Sequence, residues 1–396
     1  MEKIKIQLSP YKECTGCAAC AGACGKEAIS FCEDTEGFFY PEIDYAKCVA
    51  CHLCQKSCPV LFPITPYKPG KCYAAGSLDI DMRTNSSSGG IFSELARSVL
   101  LSKGLVVGAS LDDTTGIVHH RIIEQMTDLF LLQGSKYVQS IISVDILRKV
   151  KVALREGRLV LFTGTPCQIA GVVALTKNPE NLFTMDIVCH GVPSPKWFRI
   201  IHGKVRQRIR GFVNYNFRKL SSWSECSNVN VNVNVNGVIE NRDLYGLETC
   251  YQDAFIKWFL HRNNCYSCDY TDTRRVADVT VADFWGIGSK MSISDDHRLG
   301  CSLMLINSSK GEQLFESIKD RIYAELRDVD ETIEAGNEQL RRPSHRPYER
   351  ETFYADAFSM PLKHLIKKYR LVYKQSPSLI NSIILRVKSM IKYFIK

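Results

Sequence analysis

The sequence lacks any long apolar run. Over 396 residues, no stretch approaches the roughly 18–20 consecutive apolar residues that would span a bilayer. The segment from Met1 to Glu13 also lacks the apolar core of about 7–15 residues that a secretory signal needs. We therefore expect a cytoplasmic protein, in which thiols are more often committed to metal than to disulfides.

Three common motifs are missing as well. The chain contains no G-x-G-x-x-G, no G-x-x-x-x-G-K-[ST] and no H-E-x-x-H. These absences argue against a Rossmann dinucleotide fingerprint, a P-loop and a zinc-protease helix. Any nucleotide-like cofactor must therefore be bound by loops of another kind.

Acidic residues are absent from the last part of the chain. Residues 361–396 contain nine Lys or Arg, so the 42 basic residues that precede them balance the 42 acidic residues of the whole chain. The net charge of +9 thus belongs to this tail and not to the body. A neutral body argues against nucleic acid as a partner.

The basic tail (residues 359–396) also carries an apolar stripe. Apolar residues recur at helical spacing from Leu379 to Phe394, with basic residues mainly on other faces. One interpretation is an amphipathic helix that rests on an anionic membrane surface, which would place the protein on the inner face of the membrane. The other is a C-terminal helix that packs on its own domain, with solvated lysines.

Cysteine, in contrast, is abundant, with 17 residues. Two runs share the spacing C-x2-C-x2-C-x3-C, and Pro59 follows the second run. In such a run three thiolates bind one [4Fe-4S] cluster and the fourth binds the other cluster. The sequence therefore predicts a ferredoxin-type module with two clusters, one held by Cys14, Cys17, Cys20 and Cys58 and the other by Cys48, Cys51, Cys54 and Cys24. Structural zinc is the alternative, although a zinc site needs only four ligands.

Beyond a linker punctuated by prolines, short apolar strands alternate with helices. Segments 105–108, 159–162 and 182–188 are typical of buried strands, and the patterns over Ile91–Leu101 and Val144–Arg155 are typical of helices. Asn and Val alternate over residues 228–236 and Asn236-Gly237 follows, which favours an antiparallel hairpin with a type I′ turn. We predict an α/β body, α+β overall once the small cysteine-rich module is included.

Three loops of small residues stand at the ends of predicted elements: residues 85–90, 134–137 and 163–167. Ser-Gly-Gly before the helix at Ile91 would present backbone N–H groups and hydroxyls at a helix N-terminus, an anion site suited to a diphosphate. Lys136 would add positive charge. Taken singly, each loop is equally explained as a helix N-cap.

The order of these and other segments along the chain resembles that of a known protein family. Segments 84–96, 134–140, 163–171, 186–195, 265–268 and 277–286 follow one another as in the coenzyme F420 hydrogenase/dehydrogenase beta-subunit family, which the chain resembles over about residues 72–350. A ferredoxin module is a common N-terminal addition in that family. Its members bind FAD and a [4Fe-4S] cluster, and they pass electrons between iron–sulfur carriers and a two-electron acceptor such as a deazaflavin, or reduce an organic substrate.

The resemblance implies specific residues. It implies a third [4Fe-4S] cluster held by Cys167, Cys189, Cys265 and Cys268. It also implies bound FAD, which we assign to the small-residue loops at Ser87, Ser88, Gly89, Gly90, Ser135, Lys136, Tyr137, Gly164 and Thr165. Asp283 would accept from a flavin or ribityl hydroxyl, or else it belongs to a domain interface. Alternatively, Cys167 and Cys189 are small buried hydrophobes, each at the end of a strand, and Cys265 and Cys268 belong to a zinc knuckle or to no site.

Further polar and aromatic candidates surround these segments. His190 follows a proposed ligand, Phe284 or Trp285 would pack on a flavin ring, and Arg218 with Lys219 would contact an anionic substrate. All of them are equally compatible with a domain interface. No catalytic acid or base is assigned.

We expect four regions. They are a ferredoxin domain (1–62), the N-terminal (68–150) and C-terminal (151–358) segments of the flavin-binding body, and the basic amphipathic tail (359–396). The expected function is an iron–sulfur flavoprotein oxidoreductase that carries electrons from a ferredoxin-like donor through clusters to FAD and on to a small-molecule acceptor. The alternative is a non-autonomous electron-transfer subunit beside a hydrogenase or dehydrogenase partner.

Overall fold

The computed structural model of the protein describes residues 6–218, 229–288 and 290–376. The predicted tail helix from Leu379 onward lies outside these residues, as do Lys219 and Cys226. Within them, no helix combines the length and the apolar character that crossing a membrane requires.

Strands and helices alternate along most of the described chain. The strands are β1 (Ile29–Glu33), β2 (Phe39–Ile43), β3 (Lys71–Ser77), β4 (Leu105–Asp112), β5 (Ile117–Ile123), β6 (Val160–Gly164), β7 (Leu182–Ile187), β8 (Phe212–Asn216), β9 (Asn230–Val235), β10 (Val238–Asp243), β11 (Val279–Asp283), β12 (Ser302–Ile306) and β13 (Ile322–Arg327). The helices are α1 (Ala19–Ala23), α2 (Leu53–Lys56), α3 (Ile80–Thr84), α4 (Ile91–Leu101), α5 (Val144–Arg155), α6 (Pro166–Thr176), α7 (Pro195–Arg208), α8 (Cys250–Ile256), α9 (Ser309–Glu316), α10 (Val329–Ala335), α11 (Arg350–Ser359) and α12 (Leu362–Lys368).

The largest sheet of the described residues has eight strands in the order β13-β3-β12-β11-β7-β6-β4-β5. Strands β4, β6, β7 and β11 are parallel neighbours, and the antiparallel β12 returns β3 to their direction. The carboxyl ends of β3, β4, β6, β7 and β11 therefore lie at one edge of the sheet. In open α/β sheets, ligands bind in the crevice outside this edge.

Helices cover both faces of the sheet. Successive side chains of a strand point to opposite faces, so a strand of consecutive apolar residues has apolar side chains to bury on both faces. On β6, Phe162 packs with α5 and α6, whereas Leu161 packs with α4 and α9. The predicted helices Ile91–Leu101 and Val144–Arg155 have the predicted bounds. The mixed α/β class is confirmed.

The Asn-Val repeat forms the predicted hairpin. Val235 of β9 pairs with Val238 of β10, and the two turn residues Asn236 (φ 51) and Gly237 (φ 89) have the positive φ values of a type I′ turn. Val231 and Val233 are fully buried against the aromatic core beneath α7. This three-stranded sheet, completed by β8, is a structural appendage of the body.

The cysteine-rich module packs on the face of the sheet that α5 and α6 cover. Helix α1 contacts both of these helices, and Cys17, Ala18 and Ala19 share their apolar core. Three Arg–Glu pairs fasten the module to the body: Arg148–Glu27, Arg199–Glu33 and Arg350–Glu36. Only Arg350 is almost fully buried, so this pair is the least screened.

Candidate functional site

The two cysteine runs fold into loops with matching backbone conformations. Gly16 (φ 72) and Ala18 (φ 63) flank Cys17, and Ala50 (φ 52) and His52 (φ 61) flank Cys51 at equivalent positions. Non-glycine residues with positive φ are uncommon, so their recurrence indicates a built loop. Such alternating conformations turn successive N–H groups inward, as in the backbone nests that surround iron–sulfur clusters.

Each loop closes over a cavity lined by one predicted cysteine set. The first cavity is lined by the four cysteines of what we call the proximal site: Cys14, Cys17, Cys20 and Cys58. The second cavity is lined by those of the outer site: Cys24, Cys48, Cys51 and Cys54. The fourth cysteine of each run therefore lines the cavity of the other run.

The two sites differ in access to solvent. Cys14 and Cys17 of the proximal site are buried, whereas Cys51 of the outer site is exposed. Val49 and Leu53, which also line the outer cavity, are about half exposed. The outer site thus faces solution and the proximal site faces the body.

Four further cysteines lie at the carboxyl edge of the large sheet and form what we call the inner site: Cys167, Cys189, Cys265 and Cys268. The prediction that Cys167 ends a strand is wrong, since it lies in the first turn of α6, where Pro166 occupies the first helical position. Cys189 lies two residues beyond β7. An isolated bridge between Pro193 and His261 brings the third segment beside the second.

The thiols of the inner site influence one another electrostatically. Burial, with a smaller contribution from a neighbouring inner-site thiol, raises the pKa of Cys167 to about 11 and that of Cys265 to about 12. Burial raises the pKa of Cys189 as well, and the other three inner-site thiols add to the increase. Without metal these sulfurs are protonated, so metal binding must release their protons.

Polar groups already point at several of the sulfurs. Thr165 Oγ1 lies 3.2 Å from Sγ of Cys167, and the backbone N–H of Gly191 donates to Sγ of Cys189 at 3.4 Å. In the outer site, Ala28 N–H donates to Sγ of Cys24 at 3.3 Å. Hydrogen bonds to sulfur help to set the reduction potential of iron–sulfur clusters.

The inner and proximal sites are neighbours. The Cys167 thiol contributes to the raised pKa of Cys17, whose largest cause is burial. Tyr270 lies near both sites, since Cys167 and Cys17 contribute to its raised pKa after burial. Among the described residues, no group of three or more His, Cys, Asp or Glu side chains is arranged to hold a single metal ion.

The small-residue loops meet at the same sheet edge. Ser135 N–H donates to Oγ of Ser87 at 2.8 Å, so two of the predicted loops are joined. Gly90 is the N-cap of α4 with φ 85, and among the described residues no atom beyond its chain neighbours lies within 4 Å of a Cβ built on Gly134. The second loop is therefore open at Gly134.

Two predicted contacts have other roles in the structure. The N–H of Gly89 donates to Oγ of Ser302, and a Cβ there would stand 2.3 Å from the carbonyl oxygen of Ala75. Gly89 is thus required by close packing on β3 and β12. Lys136 Nζ donates to the carbonyl of Gln133 at 2.7 Å, and burial lowers its pKa to about 7.

The remaining predicted residues lie beyond β6 and β11. Thr165 forms a capping box with Gln168, and Gly164 ends β6 beside it. The side chain of Asp283 pairs with Arg218 at 2.6 Å, and the Arg218 guanidinium lies over Trp285.

The aromatic side chains of the predicted flavin loops divide between an apolar core and the edge of the aromatic core. Phe284 is fully buried in an apolar core, so it is not a flavin-stacking residue. Tyr137 stacks on Phe255 at the edge of the aromatic core, and its carbonyl accepts from Tyr251. His190 follows Cys189, and its carbonyl accepts from Ser344.

Sequence reasoning missed the residues that join the module to the body. Arg262 and Gln139 lie between the proximal and inner sites, and Arg350 binds Glu36. Arg262 bonds to Cys14 across 248 positions of the chain, so no local pattern marks it.

Comparison with known proteins identifies two regions of the chain. Residues 157–332 match the family described as the C terminus of the coenzyme F420 hydrogenase/dehydrogenase beta subunit, and residues 13–61 match the 4Fe-4S dicluster domain. A chain in the xenon-derivatized F420-reducing [NiFe] hydrogenase complex from Methanosarcina barkeri is 18% identical with a TM-score of 0.47, over 75% of this chain and 95% of that one. No curated protein matches the sequence. The resemblance predicted from motif order and the two-cluster module are confirmed.

Proposed function

We propose that the chain is an iron–sulfur flavoprotein oxidoreductase, because residues 157–332 match the C terminus of the coenzyme F420 hydrogenase/dehydrogenase beta subunit and residues 13–61 match the 4Fe-4S dicluster domain. It takes electrons from a ferredoxin-like donor. It passes them through [4Fe-4S] clusters to FAD, and on to a two-electron acceptor that is either an organic substrate or a deazaflavin.

The observation that carries this proposal is the convergence of the inner site beside the proximal one. Four cysteines from three separate segments meet at the carboxyl edge of the sheet, and their thiols interact with one another. Four thiols are the ligand set of a [4Fe-4S] cluster. We assign a third cluster to Cys167, Cys189, Cys265 and Cys268.

The burial of the three sites then indicates the direction in which electrons would move. The outer site is exposed at Cys51, the proximal site is buried at Cys17, and the inner site lies where the sheet edge offers a ligand crevice. When bound, the clusters supply one-electron relay and the flavin supplies exchange between one- and two-electron chemistry. The protein contributes the order of the sites, their shielding from water and the hydrogen bonds to sulfur.

The flavin is assigned to the loops at the same edge. Ser87, Ser88, Gly90, Ser135, Tyr137, Gly164 and Thr165 would line it, and Asp283 would contact it from beyond β11. Thr165 links this region to the inner site, because its hydroxyl also lies against the Cys167 sulfur. Gly89 and Lys136 would act by holding the loops, since their polar groups bind within the protein.

A second candidate function can be tested against the first. The chain would be an electron-transfer subunit that works only beside a hydrogenase or dehydrogenase partner, and its family is defined on such beta subunits. The fused dicluster domain favours the autonomous reductase, because it supplies an electron entry point within the same chain. The predicted division at residues 62, 150 and 358, the cytoplasmic location and the membrane contact of the tail stay proposals.

Metal analysis tests the proposal. Anaerobically reconstituted protein should hold about twelve iron and twelve sulfide per chain, from three clusters of four. Cys265→Ser should lower both to about eight, whereas Cys32→Ser, at an exposed cysteine that lines neither cavity, should leave them unchanged. A value of about eight that Cys265→Ser does not change would remove the inner cluster from the proposal.

A further inference from the structure

Arg262 follows α8 and its side chain is completely buried. Its Nε donates to the carbonyl oxygen of Cys14 at 2.8 Å, and Nη1 donates to the carbonyl of Phe39 at 3.1 Å and to Oε1 of Gln139 at 3.2 Å. A Cβ built on Gly16 would stand 3.3 Å from Nη1. The guanidinium is thus fixed against the backbone of the proximal cysteine loop.

The acceptors around Arg262 are all neutral. Two are backbone carbonyls and one is an amide, and the ring of Tyr40 lies 3.8 Å from the guanidinium carbon. Within the described residues, Nη2 of Arg262 has no hydrogen-bond partner. A buried charge without a counter-charge is costly.

Two other buried arginines show the contrast. Arg275 pairs with Asp186 at 3.0 Å, and Arg350 pairs with Glu36 at 2.6 Å. Each of them is neutralised by a carboxylate. Arg262 therefore stands out as a buried cation whose compensation must come from something other than an acidic side chain of its described surroundings.

Segments of both cysteine sites are bonded to it. Arg262 bonds to Cys14 of the proximal site, and its own carbonyl accepts from the N–H of Cys265 of the inner site at 3.0 Å. The guanidinium therefore lies against the proximal cysteine loop, and the backbone that carries it is bonded to the inner-site segment.

We propose that Arg262 is the counter-charge shared by the proximal and inner cluster sites and that it raises the reduction potentials of both. The inference rests on the proposed function, because it treats the inner site as a cluster. Reduction adds negative charge, and a buried cation stabilises that charge in a region of low dielectric. The outer site gains less, so electrons that arrive there are drawn inward.

The sharpest variant neutralises Arg262 without removing it. Gln139→Glu places a carboxylate where an amide oxygen already accepts from Nη1, so it changes the charge with almost no change in shape. Arg262→Gln removes the charge, and Arg262→Lys keeps it while losing the forked hydrogen bonds. Arg346→Gln, at a partly exposed arginine over Tyr266, is the matched control.

The readout is the midpoint potential of each cluster, from redox titration followed by electron paramagnetic resonance. In Gln139→Glu and Arg262→Gln, the reduced-to-oxidised ratio of the proximal and inner clusters at a fixed potential should fall at least tenfold, which is about 59 mV for a one-electron couple. In every variant, the midpoint potential of the outer cluster should change by no more than about a third of that shift. In Arg262→Lys and Arg346→Gln, the potentials of all three clusters should stay within the same limit.

Three results would overturn the inference. They are unchanged potentials in Gln139→Glu, an equal shift of all three clusters, or a shift in Arg262→Lys as large as in Arg262→Gln. If iron analysis finds no inner cluster, the proposed function fails on its own. The proximal cluster then still decides the role of Arg262, which holds if its potential falls and fails if it does not.

Discussion

Gly171 in the middle of α6 lies directly against Cys17 of the cysteine-rich module: a Cβ built on Gly171 would stand 2.7 Å from Sγ of Cys17 and 2.8 Å from its Cβ. The body helix that carries Cys167 therefore has room for the Cys17 side chain only because residue 171 has no side chain. One short helix thus supplies an inner-site sulfur at its start and seats a proximal-site sulfur one turn later.

Gly171→Ala should displace Cys17, because a contact of 2.7 Å cannot be relieved without moving the ligand or the helix. We expect the iron content to fall by as much as one cluster, about four iron per chain. Gly203→Ala is the matched control in α7, where, outside the helix backbone itself, no described residue lies within 4 Å of the new methyl group. It should stabilise the protein by about 0.5–1 kcal/mol and keep all iron. Full iron in Gly171→Ala would show that the module is not seated as described.

Glu36→Gln should loosen the module from the body. Arg350 is almost fully buried and makes bonds of 2.7 and 2.6 Å to the two oxygens of Glu36, so the variant leaves a buried cation without its counter-charge. We expect a loss of about 2–4 kcal/mol in the free energy of unfolding, measured with urea under anaerobic conditions. Glu27→Gln removes the exposed partner of Arg148 and should cost less than about 1 kcal/mol. Equal effects of the two variants would contradict a special role for the Arg350 pair.

His120 should make stability depend on pH. It is fully buried on Phe162, its Nε2 lies 3.0 Å from the carbonyl oxygen of Thr163, and burial lowers its pKa from 6.5 to about 4. Below pH 6.5, His120 therefore binds a proton in the unfolded chain but not in the folded chain. Its contribution to the free energy of unfolding is complete above pH 6.5 and is lost as the pH falls toward 4. Between pH 7 and pH 5 the loss should be about 2 kcal/mol.

The measurement for His120 compares urea unfolding at pH 7 and pH 5 in wild type and in His120→Gln, which keeps a donor for Thr163 but does not titrate. The variant should lose about 2 kcal/mol less than wild type over this range. His364→Gln, at an exposed helical position, should behave as wild type. The same pH dependence in all three proteins would rule out His120 as its source.

Local patterns predicted much of this structure. The repeated cysteine spacing predicted which four cysteines share each cavity, because a tight loop can reach only one cluster with its first three thiolates. Asn236-Gly237 predicted its hairpin because both residues tolerate positive φ. In each case the deciding interactions lie within a few residues or follow from a known ligand geometry.

Long-range packing explains the rest. The sequence predicts that Cys167 ends a strand. In the structure it lies in the first turn of α6, directly after Pro166. Gly89 looked like part of an anion loop, yet its N–H binds Ser302, 213 positions away. The seat of Cys17 on Gly171 and the bond from Arg262 to Cys14 likewise depend on how the module docks, which no single segment encodes.

In the proposed function, electrons reach the flavin through the inner site. Anaerobic stopped-flow mixing with a reduced ferredoxin-type donor tests it, with flavin bleaching followed in wild type and in Cys265→Ser that retains about eight iron per chain. In wild type, flavin reduction should follow cluster reduction. In Cys265→Ser, the proximal and outer clusters should be reduced while the flavin stays oxidised. Flavin reduction at the wild-type rate in that variant would contradict the account.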